Sequence, residues 1–147
     1  MTTRGDVDIL LVEDNQDHAH FILAALKEEN GVVTYWAKNG EEALELLRQR
    51  RDGGERTAAP RPLVVLLDIH LPKASGHEIL RQIRADVAFQ VVPVVMLTSS
   101  DRKDEIAAAY TAGANGYVTK PLKLGDFVEK IKALKRYWTF ASEIVAA

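Results

Sequence analysis

The chain has 147 residues, 47% of them hydrophobic, enough for one buried core and too few for two ordinary domains. Its 19 basic and 21 acidic side chains leave a formal net charge of -2, without the basic excess that nucleic-acid binding usually shows, so no nucleic-acid contact is expected. Cysteine is absent, which excludes disulfides, thiolate zinc sites and thiol nucleophiles, and no apolar run approaches the ~20 residues of a membrane span, so a soluble, cytoplasmic protein is expected.

Ile9 to Val12 is a short continuous apolar run and reads as a strand. Ala19, Ile22, Leu23 and Leu26 then form one helical stripe, followed by Gly31, a normal helix-end residue. Val32 to Trp36 is a second strand, and Asn39 with Glu41 and Glu42 opens a second helix carrying Leu44 and Leu47. From Arg50 to Pro62, charges, glycines and prolines replace any periodicity, which predicts a long mobile loop and not a domain linker, since neither side could fold alone. Leu63 to Leu67 is a third strand. Ser75 with Glu78 makes a capping box ahead of Ile79, Leu80 and Ile83. Val91 to Leu97 is a fourth strand, about Asp101 to Thr111 a fourth helix, and Ala114 to Val118 a fifth strand. A last helix runs through Phe127, Val128, Ile131 and Leu134. Strands alternating with helices predict an α/β doubly wound parallel sheet, in which ligands bind at the carboxyl ends of the strands.

Those strand ends carry charge where a buried strand would prefer none: Glu13 and Asp14 after the first, Asp68 after the third and Lys120 beyond the fifth, with the Thr98 hydroxyl ending the fourth. Any one of these alone reads as a cap or a solvated charge; their convergence on one crevice points to chemistry. Clustered carboxylates repel by several kcal/mol at ~4 Å unless a cation or proton intervenes. Oxygen donors without cysteine or paired histidines favour Mg2+ over zinc, and Lys120 suits a phosphoryl oxygen. His18, His20 and His77 show no ligand pattern and are expected to be solvated.

The segments VEDN at Val12 to Asn15, LLDIHLP at Leu66 to Pro72, MLTSS at Met96 to Ser100 and YVTKP at Tyr117 to Pro121 resemble the motifs of response-regulator receiver domains. That resemblance covers about Asp8 to Leu134. It implies a flavodoxin-like sheet of order 2-1-3-4-5 flanked by five helices, with Asp68 as phosphoacceptor. It also implies Glu13, Asp14, Asp68 and the backbone carbonyl of His70 as Mg2+ ligands, and Thr98 and Lys120 as phosphoryl contacts. A cis bond to Pro121 and a Thr98–Tyr117 switch follow from the same likeness. A sensor kinase phosphohistidine would donate to Asp68, with no enzymatic activity beyond the chain's own phosphorylation and dephosphorylation. Two other classes compete: a haloacid-dehalogenase-type phosphohydrolase, which wants a second acidic residue where this chain has His70, and a receiver-like scaffold that is not phosphorylated.

After Lys120 only the last helix and a tail remain, too little for a DNA-binding or enzymatic domain, so output is expected through a downstream protein or a phosphotransfer protein. The receiver is expected over 1–136 and an extension over 137–147. Tyr137, Trp138, Phe140, Ile144 and Val145 carry apolar character past the last helix, which predicts a homodimerisation arm. Leu71 to Asp86, together with YVTKP and Tyr137-Trp138, resembles stand-alone receivers that accompany phytochrome-type histidine kinases; another phosphorelay is the alternative.

Overall fold

The computed structural model describes residues 7–27, 31–53, 62–99, 102–120 and 123–137. Five strands, β1 (Val7–Val12), β2 (Val32–Ala37), β3 (Leu63–Asp68), β4 (Val94–Thr98) and β5 (Gly116–Thr119), form one parallel sheet of order β2-β1-β3-β4-β5. The helices are α1 (Gln16–Lys27), α2 (Gly40–Arg51), α3 (Gly76–Ala85), α4 (Lys103–Thr111) and α5 (Leu124–Arg136).

The continuous apolar runs have a simple cause. In β1, Leu10 and Val12 enter a core cluster with residues of α2 and α3, whereas Ile9 and Leu11 enter a second cluster with α1 and α5. β3 and β4 divide in the same alternating way, so strands covered on both faces need an apolar residue at every position. β2, at one edge, instead alternates between half-buried and exposed over Val32 to Trp36, and β5 is half-buried throughout. Short side-chain bonds begin the helices: Asn15 Oδ1 accepts from the His18 N–H at 3.0 Å, Asn39 from Glu42 at 2.9 Å and the Ser75 hydroxyl from Glu78 at 3.3 Å.

The first strand starts two residues earlier than read, at Val7, and the fourth and fifth start later. The fourth strand begins at Val94, not Val91, because Pro93 cannot donate to the ladder, and Val91 is exposed. A 3-10 turn over Val87–Phe89, started by Asp86 accepting from Ala88 N–H at 3.0 Å, fills part of the approach. The fifth strand begins at Gly116, since the preceding Asn115 answers the Val94 N–H with its side-chain Oδ1, at 2.9 Å, in place of a backbone carbonyl. Arg84 ties this end together: its guanidinium donates to the carbonyls of Phe89, Val92 and Gly113 and to Asn115 Oδ1 at 2.7–3.0 Å. The middle of the expected Arg50 to Pro62 loop, the Pro121 bond, Ser100, Asp101 and the tail residues Trp138, Phe140, Ile144 and Val145 lie outside the described residues.

Candidate functional site

The carboxyl ends of β1, β3 and β4 are adjacent, and there the polar residues converge. Asp68 is the last residue of β3 and pairs in register with Leu97, which puts the following residue, Thr98, on the neighbouring strand one step further out. Thr98 in turn pairs with Thr119, so Lys120 leaves β5 directly beside the crevice, its N–H donating to the Thr98 carbonyl at 2.6 Å. Glu13 and Asp14 follow β1.

Close packing fixes the acceptor strand's exit. The Gly76 N–H donates to the Ile69 carbonyl at 2.7 Å, and a Cβ on Gly76 would stand 2.4 Å from the Asp68 carbonyl oxygen. A glycine is therefore required where α3 starts under the loop. In that loop Lys73 adopts a positive φ of 69°, an uncommon conformation for a residue with a side chain.

Asp68 is held from two sides: the His70 N–H donates to Oδ1 at 2.9 Å, and Lys120 Nζ donates to Oδ2 at 3.0 Å. The same ammonium donates to Glu13 Oε1 and lies 3.2 Å from His18 Nδ1. Glu13 and Thr98 are fully buried, Asp68 nearly so, and Asp14 is exposed at the mouth. One carboxylate oxygen from each of Glu13, Asp14 and Asp68 lies within 4.8 Å of the others.

Burial, followed by the hydrogen bond with Asp68, raises the Glu13 carboxyl to about 8. For Asp68 burial acts in the same direction but is outweighed by the hydrogen bond from Glu13, the charge of Lys120 and the His70 N–H, so Asp68 lies below the ordinary carboxylate range. The pull of Lys120 and the His70 N–H therefore favours the anionic form of Asp68, while burial favours the neutral form of Glu13. Three carboxylate oxygens converging within 4.8 Å mark a place where a dication can stand, and the all-oxygen donor set fits Mg2+.

All the residues read from the sequence as chemical therefore meet: Glu13, Asp14, Asp68, Thr98 and Lys120 share the crevice, with His70 at its rim. Tyr117 lies two residues before Thr119 on β5, half-buried against the cluster that contains Met96 and Ala109. His20 is exposed, as expected, but His18 and His77 need correcting. His18 is not simply solvated: it stands on the first turn of α1 beside Lys120, and burial and the Lys120 charge lower its pKa. His20 packs edge-on to Trp36 with ring centroids 5.9 Å apart, and the Nε2 of His77 is buried. Only its position four residues after Asp14, where one helical turn returns the side chain toward the strand end, marked His18 in the sequence. Trp36 also escaped notice; its indole N–H donates to the Glu13 carbonyl at 2.8 Å.

Residues 9–132 match the family described as response regulator receiver domain. Response regulator Rcp1 of Synechocystis sp. is 32% identical over 142 residues, covering 95% of this chain and 93% of that protein. A Methanothrix harundinacea protein named "Probable methanogenesis regulatory protein FilR2" is 40% identical over 132 residues, covering 88% of this chain and 82% of its own length. Among solved structures, the phosphorylated cyanobacterial phytochrome response regulator RcpA is similar with a TM-score of 0.84 at 32% identity, covering 96% of this chain and 99% of that one. The Mn2+-bound form of Rcp1 is similar with a TM-score of 0.81 at 31% identity, covering 95% of this chain and 99% of that one.

Proposed function

The chain belongs to the response regulator receiver domain family, a phosphoryl-accepting receiver related to phytochrome response regulators, and we propose that Asp68 is its phosphoacceptor and Thr98 and Lys120 its phosphoryl contacts. The observation that carries this reading is the setting of Asp68: an anionic carboxylate at the end of a central strand, within reach of one ammonium and two further carboxylates.

Asp68 is the nucleophile. One of its oxygens attacks the phosphorus of a kinase phosphohistidine, the P–N bond breaks, and the electron pair returns to the imidazole as the acyl phosphate forms. Lys120 offsets charge on one phosphoryl oxygen, and the Thr98 hydroxyl, buried at the end of the neighbouring strand, donates to another. Glu13, Asp14, Asp68 and the His70 carbonyl would hold Mg2+, which when bound neutralises phosphoryl charge and orients the transfer. Thr98 moving toward the phosphate would let Tyr117 turn inward and alter the α4, β5 and α5 surface. The chain promotes both its own phosphorylation and its own dephosphorylation in this scheme.

The relationship to RcpA and Rcp1 supports a phytochrome-type histidine kinase upstream and a cytoplasmic setting, with output to a downstream protein or a phosphotransfer protein. No helix among the described residues is long and apolar enough to cross a membrane. The receiver spans 1–136 and the extension from Tyr137 onward serves a homodimer; Tyr137, 54% exposed at the end of α5, supports it. Light scattering of the full chain and of a version ending at Arg136 tests the dimer: a full-length monomer at tens of micromolar, or equal dimerisation of the shortened chain, would refute it.

Acetyl phosphate with Mg2+ tests the central reading. The wild type should gain one phosphoryl group by intact mass and Asp68→Asn none; unchanged labelling of Asp68→Asn moves the acceptor elsewhere.

A further inference from the structure

The acidic pair at the end of β1 is held by more than its own strand. Glu13 donates its N–H to the Ala37 carbonyl of β2 at 3.0 Å, and its own carbonyl accepts from the Trp36 indole at 2.8 Å. Both peptide groups of Glu13 are thereby fixed by consecutive residues of the edge strand. The second of them is the peptide that joins Glu13 to Asp14, so the plane held by Trp36 determines where the Asp14 carboxylate starts. Backbone bonding within the ladder would leave that plane free, because β1 ends at Val12 and Asp14 is exposed.

The indole is itself fixed. Leu11 and Trp36 pair in register, the Trp36 ring packs against the α1 and α5 core cluster, the His20 ring meets it edge-on at 67°, and Lys38 Nζ stands 5.5 Å from its centroid. A rigid aromatic on one strand thus delivers a single hydrogen bond to a backbone carbonyl on the next.

We infer that Trp36 is a positioning residue for the metal-binding acidic pair, coupling the outer strand β2 to the Mg2+ affinity of the site through its indole N–H on the Glu13 carbonyl. The inference rests on the metal site proposed above. Because the indole bonds the backbone between two of the carboxylates, it would also report their state: closing the carboxylates around a bound cation would pull on the Glu13–Asp14 peptide and change the polarity at the indole N–H.

The test is a Mg2+ titration of the full-length protein by calorimetry, wild type against Trp36→Phe, which keeps an aromatic ring and removes the donor. Loss of one hydrogen bond that orients a ligand should weaken Mg2+ binding by about 3- to 10-fold. A purely structural role would lower the melting temperature and leave the affinity of the folded fraction unchanged. A second measurement leaves Trp36 in place: in a Trp138→Phe background, where Trp36 is the remaining tryptophan, Mg2+ should shift its emission with the same midpoint as the calorimetric titration. Equal affinities within twofold, or emission that does not respond to Mg2+, would overturn the inference while leaving the metal site standing. A wild type that binds no Mg2+ would overturn the metal site and the inference together.

Discussion

Lys120 Nζ and Asp68 Oδ2 meet at 3.0 Å across 52 positions of chain, and the same ammonium also holds Glu13. The two carboxylates and the lysine thus form one unit, while Asp14 stands at its exposed rim. Removing Asp14 and removing Lys120 should therefore have separable effects. Asp14→Ala takes away a direct oxygen donor and should abolish tight Mg2+ binding, whereas Lys120→Ala removes only a competing cation and should leave Mg2+ binding in place. Labelling by acetyl phosphate should fall in both, by roughly 10- to 100-fold in Lys120→Ala, as for loss of one charge-stabilising donor. Mg2+ titration alongside labelling kinetics checks this; equal Mg2+ affinity in wild type and Asp14→Ala would sink it.

Gly76 and Gly125 begin different helices and should answer alanine with opposite signs. A Cβ at Gly76 meets backbone, at 2.4 Å from the Asp68 carbonyl oxygen and 2.7 Å from the Ile69 Cα, so neither neighbour can rotate away. Gly76→Ala should destabilise by about 1 to 3 kcal/mol and slow phosphorylation as the end of β3 shifts. At Gly125, in the first turn of α5, nothing lies within 4 Å of the added carbon. Gly125→Ala should stabilise by about 0.5 to 1 kcal/mol through the lower entropy cost of fixing alanine in a helix. Urea midpoints decide both signs.

Arg84 joins the end of α3 to the approaches of β4 and β5 by five hydrogen bonds, four of them to backbone carbonyls. Lysine can supply charge but not a planar fork reaching several acceptors at once. Arg84→Ala should cost roughly 2 to 4 kcal/mol and Arg84→Lys only part of it back, because carbonyls are left unpaired in either case. A denaturation midpoint for Arg84→Lys equal to that of wild type would contradict the fork's role.

The protonation of Glu13 gives the metal-free protein a pH dependence of definite sign. Its folded-state value, raised to about 8, lies above the ordinary value of 4.5, so the protonated form favours the fold; that contribution is complete below the ordinary value and is lost as pH rises through about 8. Asp68 and His18 are both lowered, so their contributions have the opposite sign and lie below their ordinary values of 3.8 and 6.5, which leaves the fall above about pH 6.5 to Glu13. With Mg2+ chelated, this contribution should fall from about pH 4.5 to about pH 8 and level off above, and Glu13→Gln, which cannot ionise, should flatten that fall. Thermal melts at a series of pH values with and without chelator measure it; a slope unchanged in Glu13→Gln would assign the effect to another group.

Much of this protein was determined by local sequence alone. The two-sided burial of β1, β3 and β4 requires unbroken apolar runs, so Ile9 to Val12, Leu63 to Leu67 and Val91 to Leu97 announce central strands, the last with a start that Pro93 moves to Val94, and charge at their ends cannot be hidden. Glu13, Asp14, Asp68, Thr98 and Lys120 were legible for that reason. The contacts of His18, Trp36 and Arg84 were decided only by the tertiary structure. Each is a residue whose type suits an ordinary place, a helix surface, an edge strand or a helix end, and whose role comes from what a distant segment brings against it: Lys120 to His18, the Glu13 carbonyl to Trp36, the Gly113 and Val92 carbonyls to Arg84. Backbone carbonyls carry no sequence signal, since every residue has one, and so a side chain that recognises a carbonyl becomes visible only when the fold has placed the two together.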